Sequence, residues 1–366
     1  MHLRSKTSIC LSTFLLAILL SSCNDGQKKG KASVASNNDN EEKKSIISLI
    51  RNDEEQKVDV LIDGELFTSY IYPETVKKPV LYPIKTAQGT IVTRGFPLES
   101  RAGERVDHPH HVGLWFNYGD VNGLDFWNNS DAIPEDKRAH YGTIVHQEIN
   151  RISSGNDRGE LEVSMAWKDS EGKTLMTEYT TFIFSGTDNE RVIDRITTLT
   201  ALDEDVSMKD NKEGLLGIRV ARELEHPADK PEMFTDASGN PTDVPVLNND
   251  GVTGWYNSSE GLEGHDVWGA RAKWMNLSGE INGEDIAIAI FDHPDNIGYP
   301  TYWHARGYGL YAANSLGQEA MSGGKETLNF ILGANESVTF KHRVVIYSGK
   351  EVSKQQIDKD FEVFAQ

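Results

Sequence analysis

Cysteine is almost absent from this chain of 366 residues, which has only Cys10 and Cys23. Both lie in the N-terminal segment, so the remainder of the chain can form no disulfide. Catalysis by a thiolate and zinc sites with cysteine ligands are excluded there as well. Hydrophobic patterns with the helical period are also scarce, which argues against a helical fold.

Basic residues are outnumbered, with 37 Lys and Arg against 56 Asp and Glu and a net charge of −19. An acidic surface disfavours nucleic acids and anionic membranes as partners. Several nucleotide and acyl-transfer motifs are missing too. No glycine-rich dinucleotide fingerprint opens a helix, and there is no Walker loop and no Gly-x-Ser-x-Gly nucleophile elbow.

The N-terminus has the pattern of a bacterial lipoprotein signal. Arg4 and Lys6 precede an apolar run, Ile9 to Leu20, that is too short to span a membrane as a stable helix. The run ends in Leu-Ser-Ser-Cys, which resembles a lipobox, so residues 1–22 are predicted to be a signal peptide and Cys23 the lipidated residue. We therefore expect a lipid-anchored protein of the bacterial cell envelope, with no membrane contact beyond that anchor.

Residues 23–57 are polar and poor in aromatics, and they are predicted to form a flexible tether. Residues 58–348 have a globular composition, and residues 349–366 are predicted to be a polar tail. Short β-rich runs separated by Gly, Asn, Asp and Pro predict strands joined as antiparallel hairpins. The expected fold is all-β, a large antiparallel β-sandwich. The clearest predicted strands are Val58–Ile62, Thr90–Phe96, Gly113–Asn117, Glu160–Trp167, Thr177–Phe184, Arg191–Leu199, Leu215–Arg222, Ile286–Phe291 and Ser337–Tyr347.

The stretch from Arg101 to His111 contains an unusual density of titratable residues, namely Arg101, Glu104, His108, His110 and His111. Histidine changes charge near neutral pH and is a common metal ligand. A proline between the first two histidines biases His108 toward an extended conformation, which would place His108 and His110 on one face. A polar loop with structural histidines is the alternative.

Two further segments add candidates. In the first, Asp125 and Trp127 alternate along a possible strand and His140 precedes a strand entry, so all three could face a cleft; Trp127 could equally be part of the core. In the second, Arg219 and Glu223 would share the polar face of a strand, although a solvent-exposed sheet face is also common. Trp268 is a weaker candidate.

A third segment repeats the triplet Asp-His-Pro at Asp292 and His293, and it continues into Tyr302, His304 and Arg306. The last three residues alternate, so an extended chain would direct them to one side. Because the triplet occurs twice, each time near aromatics and arginine, we expect the two copies to lie on one cleft.

Aromatic, carboxylate, imidazole and guanidinium groups together suit a carbohydrate ligand. The residues predicted to supply acid–base chemistry are His108, His110, His304, Asp292 and Glu104. The others are predicted to bind substrate: Arg101, His111, Asp125, Trp127, His140, Arg219, Glu223, Trp268, His293, Tyr302 and Arg306. No cofactor is expected, although a divalent metal held by histidines is an open alternative, and so is a glycan-binding protein without catalysis.

Several motifs occur in one order along the chain, including Arg94-Gly-Phe-Pro, Asp107-His-Pro-His-His, Asn122-Gly-Leu-Asp-Phe-Trp, Lys212-Glu-Gly, Gly217-Ile-Arg-Val-Ala and Pro300-Thr-Tyr-Trp-His-Ala-Arg-x-Tyr-Gly-Leu310. Together they resemble a bacterial family labelled "methane oxygenase PmoA". The resemblance implies secreted or periplasmic proteins of polysaccharide-degrading bacteria and a β-supersandwich akin to galactose mutarotase. It implies no established activity. The label does not fit this chain, because the methane monooxygenase subunit of that name crosses the membrane several times.

Overall fold

The computed structural model describes residues 44–366. The predicted signal peptide, the lipidated Cys23 and the predicted tether up to residue 43 lie outside the described residues. Within the described range, no helix is both long and apolar enough to cross a membrane.

Strands make up most of the regular structure. Three short 3-10 helices (Glu135–His140, Arg222–Leu224 and Gly264–Val267) and two α-helices, α1 Gln318–Ser322 and α2 Lys354–Phe364, accompany them. The strands are β1 Ile46–Asn52, β2 Lys57–Ile62, β3 Glu65–Ile71, β4 Val80–Ile84, β5 Leu114–Tyr118, β6 Thr143–Ser153, β7 Gly155–Asn156, β8 Gly159–Lys168, β9 Thr174–Gly186, β10 Glu190–Ala201, β11 Val206–Met208, β12 Gly214–Arg219, β13 Trp255–Ser258, β14 Trp274–Ile281, β15 Glu284–Asp292, β16 Tyr302–Arg306, β17 Leu310–Asn314, β18 Phe330–Leu332 and β19 Ser337–Ser348.

The strands form two large antiparallel sheets. One has nine strands in the order β16-β17-β12-β5-β4-β3-β2-β1-β7, and the other has eight in the order β13-β14-β15-β19-β10-β9-β8-β6. A third, two-stranded sheet pairs β11 with β18. The predicted all-β class and large antiparallel β-sandwich are therefore confirmed.

The main hydrophobic core lies between the two large sheets. Phe116 of the nine-stranded sheet packs against Phe340 of the eight-stranded sheet, with ring centroids 5.8 Å apart. The Tyr311 hydroxyl crosses the same interface and donates a hydrogen bond of 2.6 Å to the Ile288 carbonyl. In β10 alternate residues are buried, as expected for a strand with one face on a core.

The folded domain begins earlier than the predicted boundary at residue 58. Strand β1 lies inside the predicted tether, pairs with β2 and buries Ile47 and Leu49 in the main core. The predicted polar tail is also a packed element. Helix α2 buries Ile357 and Phe361 against Phe291. The tether prediction depended on the polar composition of residues 23–57 as a whole, whereas four of the seven residues of β1 are apolar. The C-terminal segment is polar apart from a few apolar residues such as the two that α2 buries.

Two hairpin turns carry the backbone geometry that their residues favour. Asp63 and Gly64 have φ of 53° and 86°, and Asn282 and Gly283 have φ of 53° and 84°. Positive φ at both positions is the geometry of a tight hairpin turn, and Asp-Gly and Asn-Gly adopt it readily. The predicted strand Thr90–Phe96 is wrong, because this segment makes only isolated bridges.

Side chains on β5, β12, β16 and β17 alternate between the main core and the outer face of the nine-stranded sheet. Phe116 enters the main core, whereas its neighbour Trp115 joins a separate cluster with Trp127 and Leu310. These four strands are adjacent in the sheet, so the residues on their outer face come together. The loop that precedes β5 lies at the same place.

Candidate functional site

A cavity of about 250 Å³ lies over the outer face of these four strands. It brings together six of the residues predicted to form a site: His108, His110, His111, Trp127, His304 and Arg306. The full lining is His108, His110, His111, Trp127, Asn128, Lys212, Glu213, His304, Arg306 and Tyr308.

A stack of near-parallel rings forms one wall of this cavity. Tyr308 lies on His108 with ring centroids 5.1 Å apart, His108 lies 4.8 Å from His111, and His111 lies 5.2 Å from Trp115. Trp127 contacts Trp115 edge-on at 5.2 Å. Two imidazoles, those of His108 and His111, are thus held by ring packing rather than left to rotate.

Gly217 of β12 makes room for the two tryptophans. A Cβ atom at this position would lie 2.9 Å from atoms of both Trp115 and Trp127, which is closer than real Cβ contacts come. Any larger residue would push the indoles toward the cavity. The glycine is therefore part of what shapes the site.

Arg94 organises the loop that carries the histidines. Its buried guanidinium donates to the backbone carbonyls of Arg105, Asp107, His108 and His111, at 2.9 to 3.3 Å. His108 has φ of 44°, so the extended conformation predicted for it is wrong. The preference imposed by the following proline is overridden by these long-range hydrogen bonds, which hold a strained backbone in place.

Asp107 links this loop to the sheet. Its Oδ1 accepts from Arg94 Nη1 at 2.7 Å and from Arg219 Nη2 at 2.6 Å, and both arginines are buried. Its Oδ2 lies 2.9 Å from His108 Nδ1. Although partial burial opposes ionisation, Arg219, His108 and Arg94 hold the pKa of Asp107 well below its usual range. His108 Nδ1 makes no hydrogen bond within the described residues, so its contact with the carboxylate is electrostatic.

The other three imidazoles are neutral at physiological pH. Burial lowers the pKa of His110 to about 2 and that of His304 to about 3, with nearby cations adding to the effect. The pKa of His111 is also well below its usual value, again mainly through burial. His110 Nε2, His111 Nε2 and His304 Nδ1 have no hydrogen-bond partner within the part of the chain that the structure describes.

Charged groups complete the cavity wall. Lys212 contacts Glu213, and Glu213 Oε2 lies 3.4 Å from His304 Nδ1. Arg306 Nε donates to His304 Nε2 at 3.1 Å, so Nδ1 of that ring carries the proton. The Arg306 guanidinium lies over Trp268, 4.8 Å from the ring centroid. Trp268 is thus at the rim, next to a lining residue.

Glu104 and Arg101 lie away from the cavity and have structural roles. The Glu104 carboxylate accepts from the backbone amides of Gly95 at 2.7 Å, Phe96 at 2.9 Å and Arg101 at 3.1 Å. The Arg101 guanidinium pairs with Glu104 at 3.2 Å and donates to the Thr93 carbonyl. The geometry gives Glu104 no contact with the cavity and so does not support an acid–base role for it.

Four more predicted residues support the cavity or lie apart from it. Asp125 accepts from the amide and side chain of Asn128, at 2.9 and 2.7 Å, and so positions a lining residue. Arg219 lies behind the histidines, where Nη1 donates to His111 Nδ1 at 3.3 Å. Glu223 does not share its strand face, because β12 ends at Arg219 and Glu223 belongs to a 3-10 helix. His140 is exposed at the end of another 3-10 helix.

The second Asp-His-Pro copy does not meet the first. Asp292 is buried at the end of β15 and accepts from Asn296 Nδ2 at 2.7 Å and the Thr301 amide at 2.9 Å. Burial raises its pKa to about 7. His293 packs edge-on against Phe364 of α2, and Tyr302 lies under Arg271. Only His304 and Arg306 of this segment reach the cavity, so the expected pairing of the two triplets is wrong.

Several residues of the site were missed by the sequence prediction. Arg94, Asp107, Lys212 and Glu213 all lie within the quoted motifs, so the motifs themselves were the signal that could have found them. Tyr308 also lies within a quoted motif, the one that runs from Pro300 to Leu310, although it was not named as a candidate. Its role depends on ring stacking across the loop.

Two further cavities lie outside this site. One of about 370 Å³ shares His110 with the site, and its lining is largely apolar. Another, of about 540 Å³, includes His146, whose Nδ1 is 3.0 Å from the Tyr70 hydroxyl and whose ring stacks on Tyr72. Within residues 44–366, no three His, Cys, Asp or Glu side chains are arranged to hold a metal ion.

The sequence also matches a family model along most of its length. The model is that of DUF6807, described as a family of unknown function, and it matches residues 57–362. The chain belongs to this family. No curated protein matches the chain, so no residue role of this DUF6807 member can be taken from a characterised relative.

Solved structures similar to this DUF6807 chain include sugar-active enzymes. The galactosidase domain of alpha-galactosidase-sucrose kinase AgaSK has 8% identity and a TM-score of 0.38, covering 82% of this chain and 41% of that one. The GH36 alpha-galactosidase AgaB from Geobacillus stearothermophilus has 10% identity, a TM-score of 0.38 and the same coverage. A Glycoside Hydrolase Family 97 enzyme from Pseudoalteromonas sp. strain K8 has 10% identity and a TM-score of 0.30, covering 84% and 36%. The chain spans about two fifths of these structures, and likeness at this level carries no argument about activity.

Proposed function

We propose that the protein is a carbohydrate-active enzyme of the bacterial cell envelope, anchored by a lipid on Cys23. In this proposal the cavity binds a sugar unit of a saccharide, and His108 acts as general acid and base. The observation that carries the proposal is the Asp107–His108 pair at a cavity lined by three further imidazoles. The anchor rests on the N-terminal sequence pattern alone.

In the Asp107–His108 pair an ionised carboxylate lies beside an imidazole, with Oδ2 2.9 Å from Nδ1, although Nδ1 makes no hydrogen bond within the described residues. A neighbouring carboxylate stabilises an imidazole when it takes up a proton, while Nε2 exchanges protons with the substrate. The two buried arginines keep Asp107 ionised, so it does not itself become the proton acceptor. His108 is 39% exposed and lines the cavity, so its ring can reach a bound ligand.

The remaining imidazoles suit a polyhydroxylated ligand. Buried polar atoms without partners are costly, and a ligand that supplies the missing hydrogen bonds would remove that cost. His110, His111 and His304 each offer one such nitrogen. Sugar hydroxyls both donate and accept, and sugar C–H faces pack on aromatic rings such as Tyr308. A cavity of about 250 Å³ is smaller than the usual range for drug-sized ligands, which favours one sugar ring at a time.

The test is a screen of the purified chain against plant and algal oligosaccharides, with and without a chelator, with products detected by mass spectrometry and NMR. His108→Gln keeps a polar side chain, but the glutamine amide cannot take up and release a proton as imidazole does. His140→Gln is the matched control, because His140 is exposed and does not line the cavity.

We expect the wild type and H140Q to convert the same saccharide and H108Q to lose at least about a hundredfold in kcat, the usual contribution of a general acid–base group. Binding without any product would instead support the non-catalytic alternative. Loss of activity with the chelator would support the metal-dependent one. Full activity of H108Q would show that His108 is not the acid–base group.

A further inference from the structure

Arg306 gives the cavity lining a net positive charge. Among the charged lining residues, Lys212 and Glu213 contact each other. Arg306 has no carboxylate within ion-pair distance anywhere in residues 44–366. By contrast, the arginines behind the cavity, Arg94 and Arg219, both contact Asp107. In a chain with a net charge of −19, an unpaired arginine on a polar cavity indicates a place for an anionic group.

The guanidinium of Arg306 is also held in a fixed orientation. Its Nε donates to His304 Nε2 at 3.1 Å, and its Cζ lies over the Trp268 indole, 4.8 Å from the ring centroid. These two contacts leave both Nη atoms available. A guanidinium fixed in this way binds a carboxylate through two parallel hydrogen bonds, and it loses little side-chain entropy in doing so.

Trp268 extends the same feature toward the solvent. Trp268 is the residue that follows the 3-10 helix Gly264–Val267, and it is 39% exposed. Large aromatic side chains are seldom so exposed. Part of the indole is therefore free to contact the ring of a sugar that lies at the cavity rim. An aromatic surface next to a carboxylate-binding group matches a uronic acid, which combines a sugar ring with a carboxylate.

We propose that Arg306 and Trp268 form a subsite for an acidic sugar, with the carboxylate on Arg306 and the sugar ring against Trp268. The substrate class would then be saccharides that contain uronic acids. The inference rests on the proposed function of the cavity as a saccharide site and narrows its ligand.

The experiment compares glucuronate with glucose as ligands of the full chain, because the two differ only at C6, which is a carboxylate in the first and a hydroxymethyl group in the second. Galacturonate and galactose form a second pair. Affinities are measured by ligand-detected NMR for the wild type, Arg306→Gln, Arg306→Lys and Trp268→Ala. The control is Arg158→Gln, since Arg158 is 57% exposed and pairs with Glu160 next to β7, at the opposite edge of the sheet.

We expect the wild type and R158Q to bind one of the two acids about tenfold or more tightly than the matched neutral sugar, as a charge-assisted pair gives. R306Q should abolish that preference and R306K should retain only part of it, because lysine lacks the planar fork. W268A should weaken both the acid and the neutral sugar. Thermal melting of each variant confirms that it is folded.

Two results would overturn the inference in distinguishable ways. If acid and neutral sugar bind equally and R306Q changes neither, the acidic subsite is wrong but the cavity remains a saccharide site. If neither member of either pair binds and the oligosaccharide screen gives no product, the proposed function fails together with the subsite.

Discussion

Replacing Asp107 by asparagine perturbs the site at its most highly charged point while keeping the shape of the side chain. The substitution removes the carboxylate that both Arg94 and Arg219 contact, at 2.7 and 2.6 Å. Breaking a buried charge pair by removing one partner costs about 3–5 kcal/mol, because the other charge stays buried. The Asp107 side chain is 31% exposed, so we expect the lower end, about 3 kcal/mol of unfolding free energy.

The pH dependence of this loss has a definite sign. Neighbouring cations hold the pKa of Asp107 well below its usual value in the folded state. Its stabilising contribution is therefore complete above the unfolded pKa of about 4, and it is lost as the pH falls through the folded pKa. The stability gap between wild type and D107N should narrow below pH 4, by up to about 1.4 kcal/mol per pH unit.

Urea unfolding at neutral pH and at pH 3 to 4 measures both effects. The matched control is Asp295→Asn. Asp295 is 66% exposed and pairs with Lys341 at 2.6 Å, so its loss should cost less than about 1 kcal/mol. The reasoning is refuted if D107N costs no more than D295N, or if the gap does not narrow in acid.

Two further substitutions test the buried parts of the cavity. His304→Gln should make the free energy of unfolding less dependent on pH between about 4 and 6.5. Burial lowers the pKa of His304 to about 3, so in this range the unfolded chain takes up a proton that the folded chain does not. Urea unfolding should show a slope reduced by up to about 1.4 kcal/mol per pH unit, and an unchanged slope would contradict this. Gly217→Ala should lower the free energy of unfolding by about 1–3 kcal/mol, because its methyl group overpacks against Trp115 and Trp127. It should also weaken sugar binding in NMR titrations. The control is Gly172→Ala at an exposed turn, where a Cβ meets nothing within 4 Å, and it should leave sugar binding intact.

The parts of the fold that could be predicted from sequence are those fixed by local chemistry. Asp63-Gly64 and Asn282-Gly283 adopt the turn that their residue types favour. The alternation of Tyr302, His304 and Arg306 puts them on the outer face of one strand, as predicted, because the intervening Trp303 and Ala305 enter the main core. Strand β1 was missed although four of its seven residues are apolar, because it ends a long polar stretch that was predicted to be a tether.

The parts of the site that could not be predicted depend on contacts between distant segments. Two identical Asp-His-Pro triplets have different surroundings. Asp107 meets two buried arginines, whereas Asp292 meets an asparagine and a backbone amide. The backbone of His108 is set by Arg94, which precedes it by fourteen residues. No local pattern carries that information, so a short motif indicates chemistry but not where that chemistry is placed.

The central claim, that a saccharide occupies the histidine cavity, is tested most directly by NMR of the chain labelled with ¹⁵N in its imidazoles. The saccharide that the screen selects is titrated in, and each ring is assigned by a single His→Gln variant. We predict that the signals of His108, His110, His111 and His304 shift together, while those of His140 and His146 do not move. The claim would be contradicted if only the His146 signal shifted, or if none of the four cavity imidazoles gave a shift.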